Sequence, residues 1–244
     1  MLNRVTQGRC EEVMKALPAG SVDFILTDPP YLVRYRDRTG RTVLNDDNTA
    51  WLEPSFHEMF RVLKPNSFAV SFYAYDKIDH FVAAWTKAGF HIRGHFAFPK
   101  RYASGTRFTE RKHEQAYLLC KGHPAPPANP PPDVIPWSYT GNRLHPTQKP
   151  VNTLKPMIEA YTRPGDVVLD PFSGSGSTLV AARELGRRFI GIELDQVHQQ
   201  TASSRLESRF IGSAFARPRA APPAPASRYH PPSMCRTPAV PTPG

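Results

Sequence analysis

The chain has 244 residues, 40% of them hydrophobic and 11% aromatic, which is enough for the core of one α/β domain but hardly for two. Its 31 Lys and Arg residues against 21 Asp and Glu give a net charge of +10, which favours a polyanionic partner such as nucleic acid. It contains no apolar run long enough to span a membrane, no signal-peptide pattern and only three widely spaced cysteines, so we expect a cytoplasmic protein without metal or disulfides.

Short β-rich runs alternate with amphipathic helical patterns, which predicts a mostly parallel sheet with helices on both faces. Strands are predicted at residues 22–27, 68–73, 92–98, 115–120, 167–170 and 189–193. Helices are predicted at residues 10–17, 53–63, 76–88, 155–161, 177–185 and 195–207. We expect these elements to form a single domain over residues 1–212.

The motif Asp28-Pro29-Pro30-Tyr31 follows the first predicted strand, at the end where open α/β sheets bind ligands. Successive prolines fix the backbone and remove two N–H donors, so this turn is rich in hydrogen-bond acceptors. An Asp beside outward carbonyls can accept both hydrogens of an amino group, and a Tyr can stack on a base held out of its duplex. The alternative is an ordinary turn that ends a strand, because Asp and Pro are common in turns.

Two basic segments follow this motif and are candidates for contacts with DNA, the first with phosphates and the second with bases. The candidates are Arg34, Arg36, Arg38 and Arg41 in the loop after Tyr31, and Lys100 and Arg101 in the basic region 91–122. For each of them the alternative is a solvated surface side chain without a ligand. The sequence shows no separate recognition domain, so we expect a short target sequence or modest selectivity.

Two proline-rich segments are predicted to lie outside the regular elements. Residues 123–136 separate two parts that are each too short to fold alone, so we interpret them as a surface connection rather than a domain linker. Residues 213–244 hold nine of the 27 prolines, many alanines and few large aliphatic residues. Such a composition cannot offset the entropy of folding, so we predict a disordered tail, with a proline-rich ligand for a partner domain as the alternative.

A glycine-containing loop follows the strand predicted at residues 167–170. The strand ends in Asp170, and Phe172, Gly174 and Gly176 lie between it and the next helix. Glycines let the backbone approach a ligand, and the start of a helix offers N–H groups to a carboxylate. The next strand ends in Glu193, which is placed to accept hydrogen bonds from ribose hydroxyls. The loop lacks the third glycine of a dinucleotide site and the Gly-Lys-Ser/Thr of a phosphate loop, which disfavours both.

These motifs, in this order, resemble the amino-group DNA methyltransferases of the β arrangement, in which the catalytic motif precedes the cofactor motif. Residues 28–31 match the catalytic motif, His145-Pro146-Thr147-Gln148-Lys149-Pro150 matches the segment before the cofactor strand, and residues 170–178 match the cofactor loop. The resemblance covers residues 3–208. It implies a Rossmann-like α/β methyltransferase that uses S-adenosylmethionine and has a seven-stranded sheet with one antiparallel strand.

The resemblance also implies roles for the matched residues. The catalytic group would be Asp28, Pro29, Pro30 and Tyr31, with Asp28 and the Pro29 carbonyl accepting hydrogen bonds from the target amine and Tyr31 stacking on the extruded base. The cofactor would be held by Asp170, Phe172, Gly174, Gly176 and Glu193, with Thr147 and Lys149 closing its methionine end. The nitrogen would attack the sulfonium methyl in line, with neither metal nor a covalent enzyme intermediate.

The predicted substrate is the amino group of adenine in double-stranded DNA, because relatives that act on cytosine more often have Ser at the position of Asp28. The alternatives are N4 of cytosine, an amino group of RNA or of a protein side chain, and, from another class, a catalytically silent DNA-binding module. Intact Asp28, Tyr31 and cofactor glycines speak against the silent module. The recognition sequence, a restriction partner and assembly as a homodimer are left open.

Overall fold

The computed structural model describes residues 1–36, 40, 42–103, 108–138, 144–145 and 147–213. Seven strands form one sheet, and they are β1 Arg4–Gln7, β2 Val22–Thr27, β3 Leu63–Phe72, β4 His91–Pro99, β5 His113–Lys121, β6 Val167–Asp170 and β7 Arg188–Glu193. The α-helices in the described part are α1 Cys10–Val13, α2 Leu52–Val62, α3 Ile78–Ala88, α4 Val151–Tyr161, α5 Ser177–Glu184 and α6 Gln196–Ser213. The predicted α/β fold class is confirmed.

The strand order is β1-β7-β6-β2-β3-β5-β4. Every neighbouring pair is parallel except the two that involve β5, which runs antiparallel to β3 and to β4. This is the single antiparallel strand that the resemblance implied. Strands from before and after the proline-rich stretch 123–136 pair directly, because β6 lies beside β2.

Alternate residues of the central strands face two separate cores, as expected for a sheet covered on both sides. In β2, Ile25 packs in the core beneath α1, α2 and α3, whereas Phe24 and Leu26 pack in the core beneath α4, α5 and α6. The same alternation separates Leu169 from Val168 in β6. Because both faces are filled, the ligand-binding surface of this sheet is its edge, where the strands end.

Several elements differ from the sequence prediction, and among them β3 begins at Leu63 rather than at residue 68. The strand β1, Arg4–Gln7, was not predicted, because it is short and only Val5 is buried. The helix α4 begins at Val151 rather than at residue 155, so that Pro156 lies inside it rather than in its first turn.

The proline-rich stretch packs along the outer strand β4. The Ala97 N–H donates to the Asp133 carbonyl at 2.8 Å, the Ile135 N–H donates to the Ala97 carbonyl at 3.0 Å, and Ile135 is buried. Within the described residues, no helix is both long and apolar enough to cross a membrane. The predicted tail, apart from Ser213, lies outside the described residues.

Candidate active site

The carboxyl ends of the neighbouring strands β2, β6 and β7 open into one cavity. Asp28 follows β2, Asp170 ends β6 and Glu193 ends β7. The cavity has an empty volume of about 1140 Å³, part of it open to solvent. Its lining includes the predicted residues Asp28, Pro29, Pro30, Tyr31, Thr147, Lys149, Phe172, Gly174 and Glu193. The acceptor turn and the glycine loop therefore face the same space.

The two carboxylate oxygens of Asp28 have different environments. Oδ2 accepts a hydrogen bond from Lys149 Nζ at 2.6 Å, whereas Oδ1 is shielded from solvent and accepts no hydrogen bond of ordinary geometry among the described residues. The Tyr31 hydroxyl is still close enough to the carboxylate to lower its pKa. Burial raises the pKa of the Asp28 carboxyl above its ordinary value, and the Lys149 ammonium opposes that rise. Because an unpaired buried acceptor costs free energy, Oδ1 is suited to a donor supplied by a ligand.

Tyr31 lies in the cavity wall beside Asp28. Its hydroxyl is 3.4 Å from Lys149 Nζ, and its ring centroid is 5.3 Å from the same nitrogen. Burial, followed by the negative charge of Asp28, raises the pKa of the Tyr31 hydroxyl well above its ordinary value, so the ring carries a neutral phenol at physiological pH. A neutral aromatic ring beside an acceptor carboxylate is the pair of groups that recognition of an aminated base requires.

The loop after Tyr31 is anchored by a residue that the motif analysis missed. Asp46 is buried, and its carboxylate accepts hydrogen bonds from the backbone N–H groups of Val33 at 3.3 Å and Tyr35 at 2.6 Å. These bonds hold the first part of the arginine loop against the cavity. No spacing in the sequence marks Asp46, because its partners are backbone groups more than ten residues away.

The cofactor loop is tied to the end of β7. Gly174 has a φ of +49°, and its N–H donates to Glu193 Oε2 at 2.7 Å. A β-carbon at this position would lie 3.4 Å from the His145 ring, so a larger side chain would enter the cavity. Gly176, with a φ of +79°, instead packs against Ala202 of α6 and is absent from the cavity lining. The two glycines therefore act differently: one faces the cavity and the other lets α6 approach.

Asp170 also lies behind the cavity wall rather than in it. Its side chain is buried, and Oδ1 accepts the N–H of Phe172 at 3.2 Å, which shapes the start of the loop. Burial raises the pKa of the Asp170 carboxyl to about 7, against hydrogen bonds from Thr178 and Phe172 that lower it. The residue is placed to support the loop, and a direct contact with a ligand stays a prediction.

Glu193 connects the loop to the start of α6. Its Oε1 accepts the N–H of Asp195 at 2.9 Å, while Oε2 holds Gly174. Burial raises the pKa of the Glu193 carboxyl, and these backbone donors oppose the rise. Each carboxylate oxygen has a second lone pair, so Glu193 can accept further hydrogen bonds from hydroxyl groups in the cavity.

The segment matched at residues 145–150 closes the cavity from the side of α4. His145 Nδ1 accepts the Thr147 N–H at 3.2 Å and lies 3.1 Å from the Thr147 hydroxyl. Its ring stands edge-on to that of His198, with centroids 4.3 Å apart. His198, which the motif analysis missed, lines the cavity and has a buried Nδ1 without a hydrogen-bond partner among the described residues. Pro146 lies outside the described residues.

A family model described as DNA methylase matches residues 22–204, which is more than half of the chain. The chain belongs to the DNA methylase family. The matched range spans the acceptor turn, the segment at residues 145–150 and the cofactor loop, and the predicted family is confirmed. Members of this family methylate an amino group, either N6 of adenine or N4 of cytosine, and this methylase shares that reaction type.

Curated relatives agree with this assignment. The methylase is 52% identical over 205 residues to a protein of Escherichia coli (strain K12) that carries the provisional name methylase YubD, covering 84% of this chain and 90% of the relative. It is 53% identical over 64 residues to the Type II methyltransferase M2.DpnII of Streptococcus pneumoniae, covering 26% of this chain and 24% of that protein.

Solved structures share the fold. The M1.HpyAVI complex with S-adenosylmethionine has a TM-score of 0.66 and 27% identity, covering 83% of this chain and 98% of that one. The cytosine-N4-specific PvuII DNA methyltransferase has a TM-score of 0.67 at 16% identity, covering 85% and 90%. Since the latter shares only the fold, the architecture alone does not distinguish adenine from cytosine.

The cofactor of this methylase is S-adenosylmethionine, and the residues of the cavity fit it. Gly174 leaves room that a side chain would fill, the Glu193 carboxylate is free to accept from ribose hydroxyls, and the buried Nδ1 of His198 is an unpaired polar atom. An amino acid moiety, a ribose and a sulfonium carry the groups that such a mixed lining can bind. The cofactor is thus expected along the ends of β6 and β7, beside Asp28.

The residues predicted to contact DNA differ in their exposure to solvent. Arg34, Arg36 and Arg101 are exposed, whereas Arg38 and Arg41 lie outside the described residues. Lys100 differs from the expectation, because its side chain is only 2% exposed and its Nζ pairs with Glu114 Oε1 at 2.5 Å. A contact between Lys100 and DNA would require breaking this ion pair. The predicted DNA contact is therefore corrected, and Lys100 is a buried residue paired within the protein.

The end of β1 contributes a further part of the cavity that was not predicted. Gly8, Arg9, Cys10 and Glu11 line it beside Glu193. Glu11 is buried and pairs with Arg9. Burial raises the pKa of the Cys10 thiol to about 12, so the thiol stays protonated and acts as a wall residue. Recognising this group from the sequence would have required predicting β1.

Proposed function

We propose that this methylase transfers the methyl group of S-adenosylmethionine to the N6 amino group of adenine in double-stranded DNA after extruding the base from the duplex. The observation that carries the proposal is the position of Asp28, which has an unpaired Oδ1 and which lines, together with Tyr31, the cavity that the glycine loop also lines. An unpaired acceptor, an aromatic ring and a cofactor loop form one site for an amine next to a methyl donor.

Adenine is favoured by the identity of residue 28, whose carboxylate accepts a hydrogen bond from an amine more strongly than a neutral hydroxyl does. Asp28 occupies the first position of the catalytic motif, where the resemblance associates Ser with cytosine. Burial raises the pKa of this carboxyl, and the Lys149 ammonium opposes that rise and so favours the ionised form.

The side chains of the turn act by binding and orienting the amine. Asp28 Oδ1 accepts one amine hydrogen and the Pro29 carbonyl accepts the other, which directs the nitrogen lone pair towards the methyl donor and raises its nucleophilicity. Tyr31 stacks on the base and keeps its plane fixed. S-adenosylmethionine, when bound, supplies an electrophilic methyl group carried on a sulfonium.

The duplex would be held by the exposed arginines around the cavity mouth. Arg34 and Arg36 lie in the loop that follows Tyr31, and Arg101 lies in the loop between β4 and β5. Contacts of this kind neutralise phosphates and position the helix without reading the bases. A DNA substrate implies that the methylase acts in the cytoplasm of a cell without a nucleus.

Mass spectrometry of nucleosides tests the function directly. The purified chain is incubated with S-adenosylmethionine carrying a deuterated methyl and with genomic DNA free of modified bases, and a reaction without the chain is the control. The expected product is deuterated N6-methyldeoxyadenosine. Deuterated N4-methyldeoxycytidine alone would replace adenine by cytosine as the substrate, and the absence of any deuterated nucleoside would overturn the proposal.

A further inference from the structure

The pairing of Lys149 with Asp28 is a contact that the sequence did not indicate. Lys149 was expected at the methionine end of the cofactor, yet its ammonium is 2.6 Å from Asp28 Oδ2. Its side chain is 8% exposed and that of Asp28 is 20% exposed. The two residues are 121 positions apart in the sequence, so the fold rather than local structure brings them together.

The ammonium is also held by aromatic rings. Its Nζ lies 5.3 Å from the ring centroid of Tyr31 and 5.0 Å from that of Phe72 in β3. Both distances are within the range of a cation–π interaction. A buried lysine that contacts one carboxylate and two aromatic faces has little freedom to reach elsewhere.

Other titratable groups surround Asp28 in the catalytic turn, and an ionised Asp28 therefore needs a counter-ion. Asp28 is faced by its neighbour Tyr31, by Glu114 of β5, by Asp170 of β6 and by Lys149 from the loop before α4. Glu114 is itself paired with Lys100 at 2.5 Å. Asp170, which is held by hydrogen bonds, has its pKa raised to about 7 by burial. Burial acts on Asp28 in the same direction, and Lys149 makes the largest opposing contribution.

We propose that Lys149 is a positioning residue that keeps Asp28 ionised by binding Oδ2, which leaves Oδ1 as the acceptor for the target amine. This inference rests on the proposed function of the same site. Lys149 does not touch the reacting atoms in this arrangement and acts through Asp28. The two carboxylate oxygens of Asp28 then have different roles, which explains why Oδ2 is paired with Lys149 and Oδ1 is unpaired.

Kinetics of two substitutions and one control test the proposal. Lys149→Met removes the charge and Lys149→Arg retains it, while Lys155→Met removes a comparable pair, that of Lys155 with Glu184 at 2.8 Å, which lies outside the site. Single-turnover rates of methyl transfer are measured from pH 5.5 to 9, and calorimetry gives the Kd of S-adenosylmethionine.

For Lys149→Met we expect the acidic limb of the rate profile to move to higher pH. At a pH below the limb, each unit of movement lowers the rate about tenfold, and the loss shrinks as the pH rises. Lys149→Arg should restore the wild-type limb, and the Kd of the cofactor should change less than about threefold. Lys155→Met should leave both readouts unchanged.

Three kinetic outcomes would overturn the proposal. A weaker Kd for the cofactor with an unmoved limb would return Lys149 to the methionine end. A faster rate in Lys149→Met at every pH would mean that the ammonium blocks the site. An equal loss at every pH, not restored by Lys149→Arg, would mean that Lys149 supports only the fold of the turn.

A titration of the free protein separates this inference from the proposed function. Carbon-detected NMR follows the Asp28 carboxyl of the wild type and of Lys149→Met, with Asp28→Asn for assignment, and does not depend on activity. A higher pKa of Asp28 in Lys149→Met supports the counter-ion role even if the substrate is not adenine, and an unchanged pKa overturns it. Thermal unfolding of each variant shows whether it is folded over the pH range used.

Discussion

The acceptor turn after β2 and the cofactor loop after β6 lie at neighbouring strand ends, but they are made rigid in opposite ways. The turn at residues 28–31 uses two prolines, which remove conformational freedom, and an ion pair between Asp28 and Lys149. The loop uses glycines, and Gly174 takes a φ of +49° so that its N–H can bind Glu193.

This difference follows from what each region has to bind. The turn must present a charged acceptor at a fixed position to a base that enters from solvent, so its residues are bulky and its charge is balanced by a lysine. The loop must let the backbone approach a cofactor closely, so a glycine, Gly174, stands where the chain passes the cavity. Substitutions in the two regions should therefore separate methyl transfer from cofactor binding.

The largest effect is expected at the acceptor turn. Asp28→Ala removes the unpaired acceptor Oδ1 and should lower the rate of methyl transfer about 10²- to 10³-fold, while the Kd for S-adenosylmethionine stays within about threefold of wild type. Rapid-quench assays and calorimetry measure the two quantities. Asp79→Ala, which changes a carboxylate that is 77% exposed on α3, is the control. A wild-type rate of methyl transfer in Asp28→Ala would show that the turn takes no part in the reaction.

The converse is expected in the cofactor loop. Gly174→Val places a branched side chain at a φ of +49° and against the His145 ring, so the Kd for the cofactor should rise about tenfold or more. Gly165→Val is the matched control, because Gly165 has a φ of +88° with open space around it. If both variants bind the cofactor as the wild type does, the loop is not its binding site.

A pH-dependent effect on stability is expected from Asp170. Its pKa is raised from 3.8 to about 7 in the folded chain, so the folded state retains a proton that the unfolded state releases between these values. The stability that this group contributes therefore falls as the pH rises from about 4 to 7. The Tm of the wild type relative to Asp170→Asn should fall by about 3 °C or more between pH 5 and 8. A constant difference in Tm would show that Asp170 titrates normally.

The smallest effect is expected on the DNA face. Arg34→Gln should weaken binding of duplex DNA a few-fold at physiological salt and lower the slope of log K against log salt by about 1, independently of sequence. Fluorescence anisotropy with two unrelated duplexes measures both. Lys100→Gln should leave the slope unchanged, because Lys100 is occupied by Glu114. A change of slope in Lys100→Gln but not in Arg34→Gln would reverse the assignment of the DNA face.

Much of the fold and the lining of the site could be predicted because their signals are local. The buried strands β2, β6 and β7 are continuous apolar runs, and the motifs that follow them are adjacent in sequence. Parallel strands bring their carboxyl ends to one edge, so Asp28, Gly174 and Glu193 were expected in one place. The resemblance to the methyltransferases supplied the roles that spacing alone could not.

The remaining features depend on contacts that are distant in sequence. The strand β1 has four residues and a single buried apolar side chain, so its pairing with β7 gives it no periodic signal. Lys100 was expected to contact DNA, but a basic residue in a polar segment does not reveal its partner, Glu114. Likewise, nothing near Lys149 in the sequence indicates that its charge is paired with Asp28.

The most direct test is a crystal structure of the methylase with S-adenosylhomocysteine and a duplex that contains its methylation site. The account predicts the cofactor sulfur and the N6 of an extruded adenine in the same cavity, about 3–4 Å apart once the length of a methyl is allowed for, with N6 donating to Asp28 Oδ1. A cofactor bound on another face of the sheet, or an adenine whose N6 is beyond hydrogen-bond reach of Asp28, would contradict it.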